Sequence, residues 1–445
     1  MKLKRYSKYK SSWIDWIGEI PVEWEVRKIK NIWNLSTSSV DKKSATTEKP
    51  ILLLNYMDVY KSINKSITKD IDFMKVTIKP SQYVSSNVKK WDLYFTPSSE
   101  TSDDIWHSAV VTEDLKWVVY SYHILRLRFN NNEIIDNEFK RYIFNNNYFL
   151  NQLSSKATWT TRMTLWLYDF KDSSFVLPPL QTQQKISSFL DSKTLQIEKL
   201  IEKDKKLIGL LKERRVSLIN KAVTKGLDDN VKMKDSGVDW IGEIPEGWSN
   251  TRLKFLSKIF SWWTPDKSKL EEYWENWTIP WIASWEVNQE YIKYPTTYIT
   301  KVWFNSSSAK MIKKWSILMA LAWQWKTKWT VWYLEFKSTC NQSLGAIEIS
   351  NKYNSKFIFY WLKSNYKNIR WLVWDWERDW LNLDYLSNIP VPLPSDIEQQ
   401  KIVDFLDRET EKIDSHVKKV EERIRLYEEY KKSLIYNVVT GKVEV

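Results

Sequence analysis

The sequence predicts two mixed α/β (α+β) domains in tandem, related as a pseudo-twofold repeat, with long helices between and after them that form a coiled coil. Three observations predict this fold. The chain has 445 residues, enough for two or three domains. Its second half repeats motifs of the first half in the same order, and each half closes on a heptad pattern that is typical of coiled coils.

Three motifs carry the repeat. Residues 12–24 read SWIDWIGEIPVEW, and residues 236–248 read SGVDWIGEIPEGW. QQKISSFLD at residues 183–191 matches QQKIVDFLD at residues 399–407, and SLINKAVTKG at 217–226 matches SLIYNVVTGK at 433–442. The repeated unit far exceeds the roughly 20–50 residues of a solenoid repeat. Each copy is therefore a domain with an attached helix.

The first domain is expected over residues 1–180. Short β-branched and aromatic runs such as WVVYSYHILRLRF alternate with turns containing Asn, Ser and Pro, which is typical of strands. The run NEFKRYIFNNNYFLNQL indicates a helical segment within this domain. The proline-rich VLPPL then ends the domain sharply, because the residue before a proline disfavours helical backbone.

A central helix is expected over residues 181–228. Its apolar line consists of Leu190, Ile197, Leu211 and Leu218, interrupted by Asp204. A helix of about 45 residues spans about 65 Å, the length of roughly 20 base pairs of DNA.

The second domain is expected over residues 229–395, and IPVPLP precedes the terminal helix over residues 396–445. The heptad line of that helix contains four aliphatic residues, Leu406, Ile413, Val420 and Leu434, besides Tyr427. We expect these four side chains to bury against Leu190, Ile197 and Leu218 of the central helix.

Charge and composition limit the class of protein. The net charge is +13 and the isoelectric point is near 9.2, which favours an acidic polymer as partner, nucleic acid before membrane. No apolar run is long enough for a transmembrane helix, and the basic start MKLKRYSKYKSSW lacks the apolar stretch of a signal peptide, so we expect a cytoplasmic protein. Cys340 is the only cysteine and the three histidines are scattered, so we expect no disulfide, metal site or cofactor.

Motifs for chemistry are missing from the sequence. We find no Asn-Pro-Pro-aromatic tetrapeptide of an adenine methyltransferase and no nucleophile elbow. The acidic stretch at residues 100–104 has no lysine at a spacing typical of nucleases, so we interpret it as part of a polar recognition loop. A non-catalytic subunit is therefore the leading hypothesis. A fused restriction or methylation enzyme is one alternative. A coiled-coil adaptor or a nucleic-acid-binding protein without sequence readout is another.

The three duplicated motifs resemble those of the specificity subunit of type I restriction–modification systems, and the resemblance covers essentially the whole chain. It implies two target recognition domains that read a bipartite, asymmetric sequence in double-stranded DNA. It also implies that the helical regions pack antiparallel and dock two methyltransferase subunits, with restriction subunits joining the complex. In that family the specificity subunit performs no chemistry. S-adenosylmethionine sits in the methyltransferase subunits, and ATP is used by the restriction subunits.

Polar loop residues in equivalent parts of the two domains are candidates for contact with DNA. Hydroxyl, amide and imidazole groups can bond to base edges, and lysines can bond to phosphates. The candidates are Thr96, Ser98, Ser99, Thr101 and His107 in the first domain, and Gln324, Lys326, Thr327, Lys328 and Gln342 in the second.

Tryptophan and glycine are present in unusual numbers. The chain has 28 Trp and only 8 Gly, whereas about 7 % glycine is usual. Trp13 stands where the second copy of its motif has Gly237, while Trp16, Trp24, Trp240 and Trp248 match between the copies. We hypothesise that many of the other tryptophans are glycines in the natural protein, encoded by UGA codons read as glycine. The alternative is an aromatic surface that stacks on bases, for example Trp323, Trp325 and Trp329.

Overall fold

A computed structural model describes residues 4–101, 104–129, 134–159, 162–261, 278–283, 290–307, 309–321, 330–371 and 383–445. The chain divides into two compact units. Unit 1 contains residues 1–204 and 422–445, and unit 2 contains residues 205–421. Each unit therefore combines one of the mixed α/β domains with part of each long helix.

The strands of unit 1 form one five-stranded sheet and several smaller sheets. They are β1 (Tyr9–Ser11), β2 (Glu19–Pro21), β3 (Glu25–Lys28), β4 (Trp33–Ser36), β5 (Lys49–Leu54), β6 (Ser66–Ile67), β7 (Met74–Ile78), β8 (Leu93–Phe95), β9 (Ser98–Ser99), β10 (Ser108–Val111), β11 (Val118–Tyr120), β12 (Leu125–Phe129), β13 (Thr158–Trp159), β14 (Met163–Thr164) and β15 (Ser174–Leu177). Its helices are α1 (Tyr56–Tyr60), α2 (Pro80–Ser86), α3 (Lys140–Ile143), α4 (Asn147–Ser154), α5 (Leu167–Lys171) and the start of α6 (Leu180–Lys225).

Unit 2 has the same kinds of element. Its strands are β16 (Met233–Asp235), β17 (Glu243–Pro245), β18 (Ser249–Arg252), β19 (Ser257–Phe260), β20 (Ile279–Ile282), β21 (Tyr291–Ile292), β22 (Thr297–Ile299), β23 (Ile317–Ala320), β24 (Val331–Leu334), β25 (Thr339–Cys340), β26 (Leu344–Ile349) and β27 (Pro390–Leu393). Its helices are α7 (Leu253–Leu256), α8 (Lys301–Ser306), α9 (Ser355–Ser364), α10 (Tyr366–Trp371), α11 (Leu383–Ser387) and the larger part of α12 (Asp396–Val439).

The two units share one sheet topology. The five-stranded sheet has the order β4-β12-β8-β10-β6 in unit 1 and β19-β26-β23-β24-β21 in unit 2. In both sheets only the last pair is parallel. The three-stranded sheets β11-β5-β7 and β25-β20-β22 also correspond, as do the pairs β3-β15 and β18-β27. The predicted tandem repeat of mixed α/β domains is confirmed.

Strand sequence explains where the cores lie. The central strands β8 and β23 read LYF and ILMA, and every side chain in them is buried. Strands buried on both faces read as continuous apolar runs. The main core of unit 1 includes Trp24, Leu93 and Leu190, and that of unit 2 includes Trp248, Ile317 and Leu406. The first turns of both long helices thus belong to the domain cores.

The repeated QQKI motif attaches each long helix to its domain. The Gln183 amide donates to the backbone oxygen of Pro178 at 2.7 Å and accepts from the Asp136 nitrogen at 2.8 Å. Gln399 repeats the arrangement with the Pro394 oxygen and the Asn354 nitrogen, each at 2.9 Å. Because both glutamines are fully buried, each amide satisfies backbone groups that water cannot reach.

Within each unit the two long helices pack antiparallel. In unit 1, Glu198 pairs with Lys431, and Asp204 accepts two hydrogen bonds from Arg423 at 2.6 and 2.7 Å. The residue number rises along one helix as it falls along the other, which defines the antiparallel direction. Leu434 lies in the same core as Leu190 and Ile197.

The helix contacts of unit 2 involve other residues of the predicted heptad lines. Arg215 of α6 pairs with Asp414 of α12 at 2.9 Å. Leu218 packs against the core that contains Leu406. Ile413 and Val420 are also buried, whereas Leu211 is half-buried.

Left-handed backbone occurs at an unusual set of residues. Among the described residues, the non-glycine positions with positive φ are Trp13, Asn64, Lys65, Trp91, Trp106, Trp117 and Trp315. Left-handed backbone is uncommon for any residue with a Cβ atom and is an outlier for a bulky one, whereas glycine adopts it freely. Five of these seven positions are tryptophan, the residue whose abundance the composition already marked as unusual.

Candidate nucleic-acid interface

The loop between β8 and β10 contains the polar residues predicted for the first domain. Thr96 closes the loop, because its nitrogen donates to the His107 oxygen and its oxygen accepts from the Trp106 nitrogen, both at 3.0 Å. Thr96 and Ser99 are buried, Ser98 and His107 are half-buried, and Thr101 is exposed. The proposed role of Thr96 and Ser99 is therefore to support the loop, since burial keeps their hydroxyls from base edges.

Asp104 is the centre of a hydrogen-bonded cluster in this loop. Its carboxylate accepts from the Tyr60 hydroxyl at 2.9 Å and from the Ser99 hydroxyl at 3.1 Å, and the His107 Nε2 lies 2.8 Å from Oδ1. Partial burial raises the pKa of Asp104, but the hydrogen bonds from His107, Tyr60 and Ser99 outweigh burial and hold the pKa below its usual value. The group is therefore a charged acceptor at neutral pH.

Aromatic rings support the same cluster. The rings of Tyr56 and Tyr60 stack with centroids 5.9 Å apart, and the edge of one ring meets the face of the other between Tyr60 and His107 at 4.8 Å. The Tyr56 hydroxyl donates to the backbone oxygen of Ser98 at 2.7 Å. The short helix α1, which carries both tyrosines, therefore fixes the position of β9.

Strand β9 is an edge strand of a small antiparallel sheet of order β13-β14-β9. Met163 pairs with Ser99, and Thr164 pairs with Ser98. Thr158 pairs with Thr164 in turn, so β14 and β13 form a hairpin that stands on β9. Directly paired residues point to the same face of a sheet, so Ser98, Thr164 and Thr158 form one row of hydroxyl-bearing side chains.

Arg162 directly precedes β14. It pairs with Glu100 at 2.8 Å, and the two side chains are 54 % and 71 % exposed. Ion pairs between side chains this exposed contribute little to stability, about 0–1 kcal/mol. The pair with Glu100 therefore adds little to the stability of the fold.

The sequence reasoning did not identify Tyr60, Asp104, Thr158, Arg162 or Thr164 as site residues. The run TWTTRMT, residues 158–164, carries the signal that could have found three of them, because threonines alternate with other residues around a basic side chain. Asp104 and Tyr60 gave no such signal, because their contact joins positions 44 residues apart in the chain.

Of the candidates in the second domain, only Gln342 lies within the described residues. Gln324, Lys326, Thr327 and Lys328 lie outside the described residues, as do Trp323, Trp325 and Trp329. Gln342 is exposed, and its backbone oxygen accepts from the Ser261 hydroxyl at 3.2 Å. Their role in DNA contact stays a prediction.

The long helices expose apolar side chains outside their buried lines. In unit 1 these are Leu195, Leu200, Leu426 and Tyr430. In unit 2 they include Leu207, Leu210 and Val216. Basic residues outnumber acidic ones in α6, whereas acidic residues outnumber basic ones in α12, so the two helices present different surfaces.

The described ranges contain neither a membrane-spanning helix nor a metal site. No helix there is long and apolar enough to cross a bilayer. No group of His, Cys, Asp or Glu in the same parts of the chain is placed to hold a metal ion.

A family model described as the type I restriction modification DNA specificity domain matches residues 21–208 and again residues 245–425. The two matches cover most of the chain and fall on the two repeats. The chain belongs to this family. The prediction of a type I specificity subunit is confirmed, and with it the prediction of a subunit that is not itself the enzyme.

Curated proteins similar to this specificity subunit carry the same description. The "Putative type I restriction enzyme MjaX specificity subunit" of Methanocaldococcus jannaschii is 23 % identical, over 96 % of this chain and 96 % of that protein. The type I restriction enzyme EcoR124I/EcoR124II specificity subunit of Escherichia coli is 24 % identical, over 59 % of this chain and 61 % of that protein.

Solved structures agree with the fold of the specificity subunit. A chain from a study of complex assembly and conformational transition in the type I R-M system matches with a TM-score of 0.72 and 16 % identity, covering 95 % of this chain and 99 % of that one. The HsdS subunit from Thermoanaerobacter tengcongensis matches with a TM-score of 0.56 and 16 % identity, covering 95 % and 98 %. At this identity the likeness concerns the fold alone.

Proposed function

We propose that this specificity subunit reads a bipartite, asymmetric DNA sequence, with residues 1–180 recognising one part and residues 229–395 the other. The observation that carries the proposal is the pair of sheets with one topology and different sequences. The segments that follow the equivalent strands β8 and β23 differ in sequence, with TPSSET at residues 96–101 and LAWQWK at residues 321–326. Two copies of one scaffold with different side chains would read two different half-sites.

Binding would combine two kinds of contact. Lysine and arginine side chains of a chain with net charge +13 would neutralise phosphates, which gives affinity that falls with salt. Polar side chains of the loops, Ser98, Thr101 and His107 in the first domain and Gln324, Thr327 and Gln342 in the second, would bond to base edges, with Lys326 and Lys328 at nearby phosphates. The first kind sets affinity and the second sets sequence preference.

We further propose that the long helices dock two methyltransferase subunits, with restriction subunits joining that complex. The exposed leucines Leu195 and Leu200 in unit 1, and Leu207 and Leu210 in unit 2, support this proposal. Contiguous exposed apolar side chains mark surfaces that another protein covers. Such a complex with double-stranded DNA would work in the cytoplasm.

A methylation map tests the recognition proposal. DNA from cells that express this chain with its methyltransferase subunit would be sequenced with single-molecule detection of methylated adenine. We expect a split motif with one methylated adenine in each half. If the complex binds and methylates DNA but the methylated sites share no sequence motif, the protein binds DNA without sequence readout and the proposal is wrong.

Co-purification tests the docking proposal. Leu207→Ser with Leu210→Ser, and separately Leu195→Ser with Leu200→Ser, should each reduce the amount of methyltransferase retained by the purified chain. Val84→Ser in α2 is the matched control, since Val84 is 77 % exposed but lies on a recognition domain. Undiminished retention by both helix variants would contradict the proposal.

A further inference from the structure

We propose that the β13–β14 hairpin reads base edges of the first half-site, and that Arg162, Thr164 and Thr158 are its specificity-determining residues. The inference rests on the function proposed above and adds the element and the residues that perform it. It does not involve Trp159, the other residue of β13.

The register of the hairpin supports this assignment. Ser98, Thr164 and Thr158 stand in one row across three strands. Thr158 at the outer end of the row is exposed, and Ser98 and Thr164 are half-buried. The next row contains Ser99, which is buried and bonds to Asp104. The sheet is therefore anchored at β9, and its row of hydroxyl-bearing side chains becomes more exposed towards the outer strand β13.

The size of the hairpin fits the proposed contact. Neighbouring strands lie about 4.8 Å apart, whereas the major groove of B-DNA is about 12 Å wide and admits a two-stranded ribbon. Threonine hydroxyls can donate to or accept from base edges, and an arginine can bond to the two acceptors of guanine. Arg162 directly precedes Met163, the first residue of β14, and its side chain is 54 % exposed.

The hairpin also has a firm base. Tyr56 bonds to the oxygen of Ser98, and Ser99 bonds to the carboxylate that Tyr60 and His107 also contact. Side chains that read bases need such support from behind, because a loosely held group discriminates poorly.

Variants of the complex with its methyltransferase test the assignment. Arg162→Gln and Thr164→Val remove the proposed base contacts and keep the side chains similar in size. We expect each to relax one base position of the first half-site, with discrimination at that position reduced about tenfold, and to leave the second half unchanged. Arg27→Gln is the control, because Arg27 forms a similar exposed pair with Glu25 on β3 and should not alter the motif.

Each outcome is decisive. A wild-type motif in both variants overturns the assignment, while the absence of a split motif in the wild-type complex overturns the function on which it rests. If a variant methylates nothing, competition binding of the purified complex decides. Weakened binding to all DNA counts against the assignment, whereas loss of preference for the first half-site alone supports it.

A second inference concerns the tryptophans with positive φ. We infer that Trp13, Trp91, Trp106, Trp117 and Trp315 are glycines in the natural protein, encoded by UGA. All five have φ between 57° and 72°, close to the φ values of Gly18, Gly237 and Gly242, which lie between 67° and 73°. Trp24 and Trp248 do not have positive φ, so we expect them to be tryptophan in the natural protein.

The internal repeat provides a direct comparison at Trp13. Its φ is 57° and that of Gly237 is 73°. The turns around them have the same hydrogen bonds: Ser12 donates to the Gly18 oxygen at 2.8 Å, and Ser236 donates to the Gly242 oxygen at 3.0 Å. The same turn is thus built once with glycine and once with a tryptophan that is 92 % exposed.

Trp91 and Trp315 occupy a second pair of equivalent turns. Their φ values are 72° and 71°, and each donates from its backbone nitrogen at 2.7 Å, to Val111 and to Leu334 respectively. Neither side chain is needed for the turn, because only the backbone bonds in it.

Peptide mass spectrometry of the protein purified from its natural host tests this inference. Trypsin should release residues 11–27, which contain Trp13 together with Trp16 and Trp24. We expect glycine at position 13 and tryptophan at 16 and 24 in that single peptide, and glycine at 91, 106, 117 and 315. The matching peptide of residues 235–252 is the control. Tryptophan at position 13 would refute the inference, and glycine at position 24 would refute the sorting by backbone.

Discussion

Asp191 and Asp407 show at the residue scale how each recognition domain is attached to its helix. The Tyr142 hydroxyl donates to Asp191 at 2.5 Å, and the Tyr360 hydroxyl donates to Asp407 at 2.6 Å. A basic residue completes each site, Arg141 in one unit and Lys356 in the other. The aspartate that ends each repeated FLD motif therefore accepts hydrogen bonds from side chains of its recognition domain.

We expect Asp407→Asn to lower the free energy of unfolding by about 1–3 kcal/mol, because Lys356 and Tyr360 lose their charged acceptor. Urea denaturation followed by circular dichroism would measure the change. Asp404→Asn on the same helix is the control, since Asp404 is exposed. Equal stability of the two variants would show that the attachment is weak.

Lys140 gives a prediction that depends on pH. Its side chain is fully buried, and Nζ donates to Asn137 at 2.6 Å and lies 4.0 Å from the centroid of the Phe129 ring. Burial lowers the pKa of Lys140 to about 8, from the usual 10.5. Between these two values the unfolded chain holds a proton that the folded protein has released, so rising pH favours the folded state.

The stability of the wild-type protein should therefore rise between about pH 8 and pH 10.5 relative to that of Lys140→Met, which has nothing to titrate at this position. Below pH 8 the difference between them should be constant. Thermal melts of both proteins across this range would measure it. Parallel curves throughout would mean that the lysine stays protonated in the folded protein.

The left-handed tryptophans also have a cost at this scale. A residue with a Cβ atom in this conformation costs about 1–2 kcal/mol, so five of them would cost about 5–10 kcal/mol. Whole domains are stable by only about 5–15 kcal/mol. Glycine at these positions removes most of that cost, which is why backbone conformation and composition lead to the same inference.

At the scale of elements, a charged residue interrupts the apolar heptad line of the central helix. Asp204 stands where the heptad pattern calls for an apolar residue, and its side chain is only 11 % exposed. Arg423 neutralises it with two hydrogen bonds. A paired charge in a helix seam fixes the register of the two helices more than it adds stability.

This position gives an asymmetric prediction. Asp204→Leu should leave the free energy of unfolding within about 1 kcal/mol of the wild type, because an apolar residue suits the seam. Arg423→Ala should be more destabilising, because it leaves the buried carboxylate without its partner. Chemical denaturation of both variants would compare them. A larger loss for Asp204→Leu would show that the ion pair itself stabilises the helices.

Elements that depend on local sequence patterns were predicted correctly, whereas contacts between distant parts of the chain were not. Heptads and proline boundaries predicted both long helices, because these depend on residues close together in the chain. The run WVVYSYHILRLRF became β11 and β12, as its β-branched residues indicate. The Asp104 cluster and the pairing of β9 with β14 were missed, because they join distant residues through the folded sheet. For the same reason the candidate site was predicted as a loop and not as a hairpin.

At the scale of the whole molecule, the duplicated attachments predict that recognition domains can be exchanged. Strands β3 and β15 enclose the first domain and pair with each other, as β18 and β27 do for the second. A chimera in which residues 25–177 replace residues 249–393 should therefore fold and assemble. Its methylation map should show the first half-site sequence in both halves. A map that retains the original second half would contradict the assignment of half-sites to domains.

Unit 1 differs from unit 2 in how its chain is arranged, and this affects its synthesis. Unit 2 is one continuous stretch, whereas the core of unit 1 includes Leu434 and Val438, and Lys442 donates to the backbone oxygens of Ile17 and Glu19. During synthesis on the ribosome, the core of the first domain therefore cannot be completed until residues 422–445 have been translated. A nascent chain that stops early would expose Leu190 and Ile197 to proteases, so only a chain translated through residues 422–445 would present two finished recognition domains.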